Sequence, residues 1–572
     1  MRYLLLLLIA LMLVSNGFSQ PDGLGAFRGQ LSNPGGFVCS VTIKKEASGE
    51  LTCTLLSGNQ VIATQTVSAT DSSIITWEFD QGLRFRGRVK EGVFSYGFMQ
   101  SGIMQHHIPL SQKGTDWVGE WLPWYVHTLN PATIYLGVEG DDGGDRQLYP
   151  FFDDPRFPGT GAGMFQEVDP NVWTFQDFFT GMQFRASWER DHYELEISLG
   201  EALLSKARLT AYEGDFPNPF RPVQSATRYQ KPRKSEQWPV QKARSAGLDP
   251  ERLAAMTTKV DTGGYLDTDA ILIARSGKLV YEAYFGGFDR GMIHQLRSAQ
   301  KSLAGTLAGL AIRDGYLPGV EARLADYLPG TRQPLLNDDP RKATITLHDL
   351  LTMRSGLDAI DFGIDRSSAA SENNYQSTPD WTATILQAPM IHDPGEKAWY
   401  GTANPHLVGD MLRQAIPQPL PFYQHEQLLA PLGISKYALQ NNLNGEFYTG
   451  GGMYLRPLDM LTYGQWYLQE GTWKGRALLP DGFVKETFTA YGPLQNANDK
   501  NEYGYLWWQH NYPLGNDTVT TWEARGAGGQ YIIVVPELEM VVAITSSNYR
   551  NGGFNLPEAI LRDHILPAII RR

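Results

Sequence analysis

Hydrophobic and polar residues alternate along short runs in the first part of the chain. The segments "GLRFRGRV" (82–89) and "HYELEISL" (192–199) show this period of two, and Gly, Pro, Asp and Asn separate such runs. Alternation of this kind is typical of strands that bury one face. The pattern predicts an all-β, antiparallel accessory domain that occupies residues 20–229.

The pattern changes after residues 230–247, "QKPRKSEQWPVQKARSAG", a charged stretch with prolines and few aliphatic residues that predicts a linker. Apolar residues then recur at helical spacing in "LDPERLAAMTTKV", and "AILIARSGKLVYEAYFG" predicts two strands with a turn at Ser276-Gly277. Near the end, "GGQYIIVVPELEMVVAITSS" predicts two more strands. Helices between strands from both ends indicate an α/β (α+β) domain over residues 248–572. We expect this domain to fold without the β region, from about Arg244 onward.

The first twenty residues, "MRYLLLLLIALMLVSNGFSQ", place Arg2 before an apolar run, Leu4–Val14, that small and polar residues follow. The apolar run is too short to span a membrane, and no second long run follows, so the pattern predicts a signal peptide over residues 1–19. Cleavage is expected near Ser19 and Gln20. The mature chain is then expected to be secreted or periplasmic, without stable membrane insertion.

Length and charge narrow the functional classes. The chain has 572 residues, of which 42% are hydrophobic, so more than one folded domain is expected. The formal net charge of −12 comes without a long lysine or arginine run. This distribution argues against nucleic acid as a partner and favours a small-molecule or peptide-like substrate.

The chain has two cysteines, Cys39 and Cys53, on either side of "SVTIKKEASGELT", which predicts a β-hairpin. A disulfide between them is the favoured interpretation for an oxidising compartment, and two buried free thiols are the alternative. No metal or other cofactor is predicted. Adjacent His106 and His107 would point to opposite faces of a strand, and the acidic segment 140–145 lacks the spacing of an EF-hand.

A serine and a lysine stand three positions apart in "HQLRSAQKSLAGTLAGLAIRDGYL" (294–317), at the predicted start of an apolar helix. Ser298 and Lys301 therefore lie on one helix face. A serine hydroxyl is a weak nucleophile that needs a neighbouring base, and a lysine desolvated by packing loses its proton more easily. Free N–H groups at the helix start also favour negative charge on a substrate oxygen. The alternative is a surface lysine beside a serine that only caps the helix.

Six segments between about residues 246 and 567 carry further motifs in a fixed order. They are "GLDPERLAAM", "RSAQKSLAGTLAGLAIRDGYL", "ITLHDLLTMRSGLD", "DPGEKAWYGTANPHLVGDML", "GGMYLRPLDM" and "GGQYIIVVPELEMVVAITSSNY". Together they resemble the serine β-lactamase and penicillin-binding protein superfamily, in particular its class C-like branch of esterases, D-amino-acid peptidases and amide hydrolases. The resemblance implies a β-lactamase-like fold, with an antiparallel sheet flanked by helices.

The resemblance also implies roles for individual residues. Ser298 would be the acylated nucleophile, Lys301 its proton acceptor, and Tyr400 in "PGEKAWY" the tyrosine of the Y-x-N motif, which relays a proton to the leaving group. Thr402 stands where that motif has asparagine, and Asn404 follows two positions later. Loss of the asparagine weakens the expected clamp on a substrate amide.

The third motif of the superfamily, Lys-Thr-Gly or His-x-Gly, corresponds here to Ala524-Arg525-Gly526. Gly526 would let the substrate approach the strand, and the N–H of Ala527 would join that of Ser298 in an oxyanion hole. The usual basic side chain is absent, and whether Arg525 replaces it depends on which way it faces.

These observations favour a secreted serine hydrolase that forms an acyl-enzyme with a small ester or amide. A β-lactamase or D-alanyl-D-alanine peptidase is the second interpretation. A third is a non-catalytic ligand-binding receptor on the same fold, against which the joint presence of Ser298, Lys301 and Tyr400 argues.

Overall fold

The computed structural model describes residues 23–32, 37–122, 133–140, 146–152, 165–214, 232–235, 237–497, 501–549 and 552–570. The predicted signal peptide and most of the acidic segment 140–145 lie outside these ranges. None of the helices within them is long and apolar enough to cross a membrane.

The N-terminal region, residues 25–211, consists of strands that pair antiparallel, as the alternating pattern predicts. In β16, for example, every second side chain is buried. The strands are β1 Gly25–Gln30, β2 Cys39–Lys45, β3 Leu51–Ser57, β4 Gln60–Val67, β5 Ile74–Glu78, β6 Arg84–Lys90, β7 Val93–Ser101, β8 Met104–Pro109, β9 Ser111–Lys113, β10 Asp116–Trp121, β11 Thr133–Gly140, β12 Arg146–Phe152, β13 Gln166–Asp169, β14 Val172–Gln176, β15 Gln183–Glu189, β16 His192–Leu199 and β17 Ala202–Ala211.

Two sheets of this region share one hydrophobic core. One has eight strands in the order β12-β11-β1-β17-β16-β15-β14-β13, and the other has five in the order β4-β3-β2-β10-β9. Large aromatic side chains are buried in this core, including Trp173 and Tyr193 of the eight-stranded sheet and Trp77 of β5. The prediction of an all-β N-terminal region is confirmed.

The predicted disulfide is wrong, because Cys39 and Cys53 are both free, buried thiols. The predicted hairpin forms, but Cys39 pairs with Ser57 and Cys53 pairs with Ile43. The two cysteines are thus offset by four strand positions, or about 13 Å at 3.3 Å per residue, whereas a disulfide requires Cα atoms within about 7 Å.

The C-terminal region combines strands and helices. Its strands are β18 Thr268–Arg275, β19 Lys278–Tyr284, β20 His294–Gln295, β21 Tyr437–Gln440, β22 Met453–Leu455, β23 Thr472–Trp473, β24 Arg476–Ala477, β25 Glu502–Tyr503, β26 Trp508–Leu514, β27 Asp517–Gly526, β28 Gln530–Val535 and β29 Met540–Ser546. Its α-helices are α1 Pro250–Asp261, α2 Lys301–Arg313, α3 Leu347–Leu351, α4 Glu372–Gln376, α5 Trp381–Gln387, α6 Ala403–Ala415, α7 Leu420–Gln424, α8 Pro457–Leu468, α9 Phe483–Thr487 and α10 Leu556–Ile560.

The central sheet of this region has the order β19-β18-β29-β28-β27-β26-β25, and all its pairs are antiparallel. Alternate residues of β18 enter two different cores. Ala270 and Leu272 pack in the core that contains α2 and α8, whereas Ile271 and Ile273 pack in the core that contains α1 and α10. Both faces are therefore covered by helices, and the predicted fold class is confirmed.

A second seven-stranded sheet crosses the predicted domain boundary. Its order is β20-β22-β21-β8-β7-β6-β5, and the crossing point is the antiparallel pairing of β21 with β8, where Ala438 lies opposite His106. Tyr96 and Phe98 of β7 pack in the same core as α2. The two regions therefore share a sheet and a core, which argues against the expectation that they fold independently.

The second half of the predicted linker is also part of the fold. Trp238 is 1% exposed, and its indole N–H donates to Thr462 Oγ1 at 2.9 Å. The backbone that follows Trp238 pairs with β19 through Leu279, whose N–H donates to Pro239 O at 2.9 Å. A linker assignment from charge and proline content misses this anchoring tryptophan. The predicted bounds of the β region (20–229), the linker (230–247) and the α/β region (248–572) stay predictions.

Candidate active site

Ser298 lies in a 3₁₀ turn, Arg297–Gln300, between strand β20 and helix α2. The predicted helix therefore begins at Lys301, three residues after the serine. The turn is held to the sheet by the N–H of Leu296, which donates to Met453 O at 2.8 Å. Arg297 has a φ of 50°, a left-handed conformation that L-residues rarely adopt and that concentrates at functional sites. Ser298 stands half-exposed at this bend.

Strand β27 ends directly against the turn. A Cβ atom at Gly526 would lie 2.1 Å from Leu296 O and 3.1 Å from Ala299 N, so only glycine allows this approach. The next residue, Ala527, is exposed. This arrangement brings the backbone of Ala527 beside the turn that carries Ser298, as the predicted oxyanion hole requires.

Ser298, Lys301 and Tyr400 lie together in the structure. Lys301 Nζ donates to Ser298 Oγ at 2.8 Å and to Gly450 O at 2.8 Å. The Ser298 side chain also lies close enough to the Tyr400 hydroxyl to act on its pKa, which it lowers. Lys301 Nζ lies 5.3 Å from the centre of the Tyr400 ring. The structure thus brings together the three residues for which the sequence predicts catalytic roles.

Burial lowers the pKa of Lys301 from its ordinary value, because a desolvated ammonium is disfavoured. The side chain is 1% exposed. The carboxylates of Glu372 and Asp361 oppose this shift, and the Arg297 guanidinium adds to it. A larger share of neutral amine is therefore available to accept the serine proton.

Burial acts in the opposite direction on Tyr400 and raises the pKa of its phenol. Its ring stacks on Trp508 with centroids 5.4 Å apart, and Phe362 packs against it at 5.3 Å. At neutral pH Tyr400 is therefore a phenol. Such a group can pass a proton between Ser298 and a leaving group, but it is a poor primary base.

An acidic group lies next to this triad. Tyr448 donates a hydrogen bond to Glu372, and the Glu372 N–H donates to Asp361 Oδ1 at 2.9 Å. Burial, with a contribution from Glu372, raises the pKa of Asp361 to about 6. The Gln300 side chain ties the turn to the same segment, because its Nε2 donates to Tyr448 O at 3.1 Å.

The structure does not place Thr402 and Asn404 where they could clamp a substrate. Thr402 is fully buried, and both its N–H and its hydroxyl donate to Asp361 Oδ2, at 2.8 and 2.5 Å. Asn404 is 2% exposed inside α6, and its Nδ2 donates to Gly401 O at 3.0 Å. Both side chains are inaccessible and bonded to the chain itself, which argues against the predicted substrate-binding role.

Arg525 is likewise unavailable to a substrate. Its Nε lies 2.8 Å from Glu523 Oε2, and a terminal nitrogen lies 3.1 Å from Glu558 Oε1. Its neighbour Ala524 faces the core that contains α2. Because side chains alternate along a strand, Arg525 points to the opposite face of the sheet, toward α10. This orientation argues against a role of Arg525 in substrate binding, a question that the sequence left open.

Several residues near Ser298 escape the sequence analysis. Arg297 directly precedes the serine, but the superfamily motifs place a basic group only in the third motif. Asp361 and Glu372 flank an irregular segment without periodicity, and Gly450 contributes only its carbonyl oxygen. Their proximity to Lys301 is a tertiary property that spacing in sequence does not encode.

Comparison with known proteins places this geometry in a family. The family model described as Beta-lactamase matches residues 256–564. An Escherichia coli (strain K12) protein described as "Putative D-alanyl-D-alanine carboxypeptidase" is 26% identical over 222 residues, which cover 35% of this chain and 50% of that protein. The chain thus spans about half the length of this curated relative.

Two solved structures align at lower identity. One, described as "Putative 6-aminohexanoate-dimer hydrolase from Bacillus anthracis", is 19% identical with a TM-score of 0.46, over 60% of this chain and 90% of that chain. The other, "EstCE1, a hydrolase with promiscuous acyltransferase activity", is 17% identical with a TM-score of 0.42, over 55% of this chain and 98% of that chain. Because the family match covers more than half of the sequence, the chain belongs to the β-lactamase family.

Proposed function

We propose that this protein is a secreted hydrolase that cleaves a small ester or amide through an acyl-enzyme on Ser298. The observation that carries the proposal is the contact of a buried lysine with the serine: Lys301 Nζ lies 2.8 Å from Ser298 Oγ. The position of Tyr400 beside this pair, with Lys301 Nζ 5.3 Å from the centre of its ring, supports it. Export is proposed from the predicted leader alone.

The first half-reaction forms the acyl-enzyme. Neutral Lys301 takes the Ser298 proton while Oγ attacks the substrate carbonyl, and negative charge develops on the carbonyl oxygen. The N–H groups of Ser298 and Ala527 stabilise that charge. The tetrahedral intermediate then collapses, the bond to the leaving group breaks, and Tyr400 passes a proton to the departing oxygen or nitrogen. In the second half-reaction, water attacks the acyl group and Ser298 recovers its proton.

The surroundings of the triad favour esters over β-lactams. The positions that correspond to the superfamily's amide clamp and strand cation, Thr402 and Arg525, are both engaged in contacts within the chain. An ester with a good leaving group depends less on such contacts, because its carbonyl is intrinsically more reactive than an amide.

We expect p-nitrophenyl acetate and p-nitrophenyl butyrate to be turned over with a higher kcat/KM than nitrocefin or a D-alanyl-D-alanine peptide. The test is a parallel measurement of initial rates with the purified mature chain. A kcat/KM for nitrocefin of about 10⁷ M⁻¹s⁻¹ or more, near the diffusional range, would favour the β-lactamase interpretation instead. Preferential release of D-alanine would favour a carboxypeptidase.

Arg297 supplies a cation at the serine. Its side chain is exposed and lies 5.5 Å from the centre of the Tyr549 ring. Within the described ranges, no carboxylate forms an ion pair with it. A guanidinium in this position can bind a carboxylate on the substrate through paired N–H donors. We propose that Arg297, rather than Arg525, recognises an anionic group of the substrate.

Two matched alanine variants separate these arginines. Arg297→Ala should raise KM about tenfold for an ester that carries a carboxylate, such as a mono-p-nitrophenyl succinate, and leave KM for p-nitrophenyl butyrate unchanged. Arg525→Ala should lower thermal stability, because it removes the cation that pairs with Glu523 and Glu558. It should have no selective effect on KM for the anionic ester. Equal effects of Arg297→Ala on both esters would contradict the assignment.

A further inference from the structure

A cavity of about 420 Å³ lies where the N-terminal strands meet the C-terminal region, apart from Ser298. Strands β6 and β8 supply one wall through Arg86 and Gln105, and the segment between α6 and α7 supplies another. The volume lies in the range of small-ligand sites. The family match begins at residue 256, so the wall formed by β6 and β8 lies outside it.

Arg86 differs from the arginines on either side of it on the same face of β6. Arg84 Nε lies 2.6 Å from Glu78 Oε1, and Arg88 Nε lies 2.8 Å from Glu426 Oε1. Among the described residues, Arg86 has neither an ion pair nor a hydrogen bond through its side chain, and the Phe422 ring lies 6.0 Å away. Burial lowers the pKa of this guanidinium, as expected for a desolvated cation without a counter-ion.

Gln105 provides an independent observation. It lines the same cavity and is 1% exposed, and neither its Oε1 nor its Nε2 finds a hydrogen-bond partner in the described part of the chain. Buried carboxamides almost always form hydrogen bonds, because an unsatisfied one loses its hydration without compensation. An unpaired cation and an unpaired carboxamide thus line one cavity.

The remaining wall determines what would fit. Arg413 also lines the cavity, but it is already bonded to Asp410 and to Phe447 O. Glu446 is held by Asn442 Nδ2 at 2.7 Å. Pro417, Leu420 and Phe447 are among the apolar residues of the lining. The uncommitted polar groups are therefore positive or neutral, and they stand beside an apolar surface.

We propose that this cavity binds a small organic carboxylate, whose anionic group contacts Arg86 and Gln105 and whose apolar part lies against Pro417, Leu420 and Phe447. A guanidinium binds a carboxylate through two parallel N–H donors, and the Gln105 amide adds a third donor. A bound carboxylate would give a hydrogen-bond partner to both Arg86 and Gln105.

The probe is sodium benzoate, with benzamide as its neutral counterpart and sodium chloride added to equal ionic strength. We expect the thermal midpoint of the full-length mature protein to rise with benzoate concentration and not with benzamide, because a ligand that binds only the folded state stabilises it. In Arg86→Met, the concentration of benzoate needed for the same rise should increase at least tenfold.

Three further variants make the result specific. Arg84→Met changes the neighbouring arginine that is paired with Glu78, and this variant should keep the benzoate response. Arg297→Ala should also keep the response, because the proposed cavity is apart from Ser298. Gln105→Leu should weaken the response and serves as the test if Arg86→Met does not fold. An equal response in Arg86→Met and the unchanged chain, or no response in the unchanged chain, would overturn the proposal. A larger response to inorganic phosphate than to benzoate would overturn the choice of a carboxylate.

Discussion

Ser298→Ala should abolish acylation by a fluorescent fluorophosphonate and lower kcat for p-nitrophenyl butyrate by about a thousandfold or more. The reason is that Ser298 Oγ is the half-exposed hydroxyl to which Lys301 Nζ donates a hydrogen bond. The measurement is in-gel fluorescence together with initial rates. The fold should be intact, because the substitution removes one oxygen at the bend, and circular dichroism checks this.

The neighbours of the serine provide graded controls. Ser302, one helical turn away, is buried and donates to Leu506 O at 2.9 Å, so Ser302→Ala should still be labelled. Lys301→Ala and Tyr400→Phe should lower kcat by about a hundredfold, the scale of lost proton transfer.

In the unchanged chain kcat/KM should rise with pH and level off below the ordinary lysine value of 10.5, since neutral Lys301 is the base and its pKa is lowered. Full labelling of Ser298→Ala would refute the nucleophile.

Local patterns predicted much of this molecule. Alternation identified β16, the turn at Ser276-Gly277 fell between β18 and β19, and the paired apolar runs near the end became β28 and β29. These features depend on side chains that are close in sequence. The spacing of Ser298 and Lys301 also belongs to this class, because one turn of backbone sets their contact.

Features set by long-range packing were not predicted. The Cys39–Cys53 disulfide failed because the hairpin register offsets the cysteines, and Arg525 turned away because strand alternation assigns it to the other face of the sheet. Thr402 is engaged by Asp361, which lies 41 residues earlier in the chain. In each case the residue type was compatible with the prediction, but a tertiary partner decided its orientation.

We expect a chain that begins at Arg244 to be insoluble or unfolded. This differs from the sequence-based expectation that the C-terminal region folds without the N-terminal strands. Truncation there removes β8, so β21 loses the strand that pairs with it at Ala438. An unpaired, exposed strand edge promotes aggregation. The measurement compares the soluble fraction and the fluorophosphonate labelling of this chain with those of the mature chain.

A substitution within the full-length protein tests the same coupling without truncation. Phe98 is 1% exposed and packs edge-on against Phe422 at 4.9 Å, so Phe98→Ala should lower the free energy of unfolding by about 3–5 kcal/mol. The matched control is Phe175→Ala, since Phe175 is buried in the core that belongs to the N-terminal strands alone. If the regions are coupled, Phe98→Ala will lower the temperature at which acylation is lost more than Phe175→Ala does. A soluble chain from Arg244 that is labelled at the full rate would show instead that the C-terminal region folds alone, despite the shared sheet.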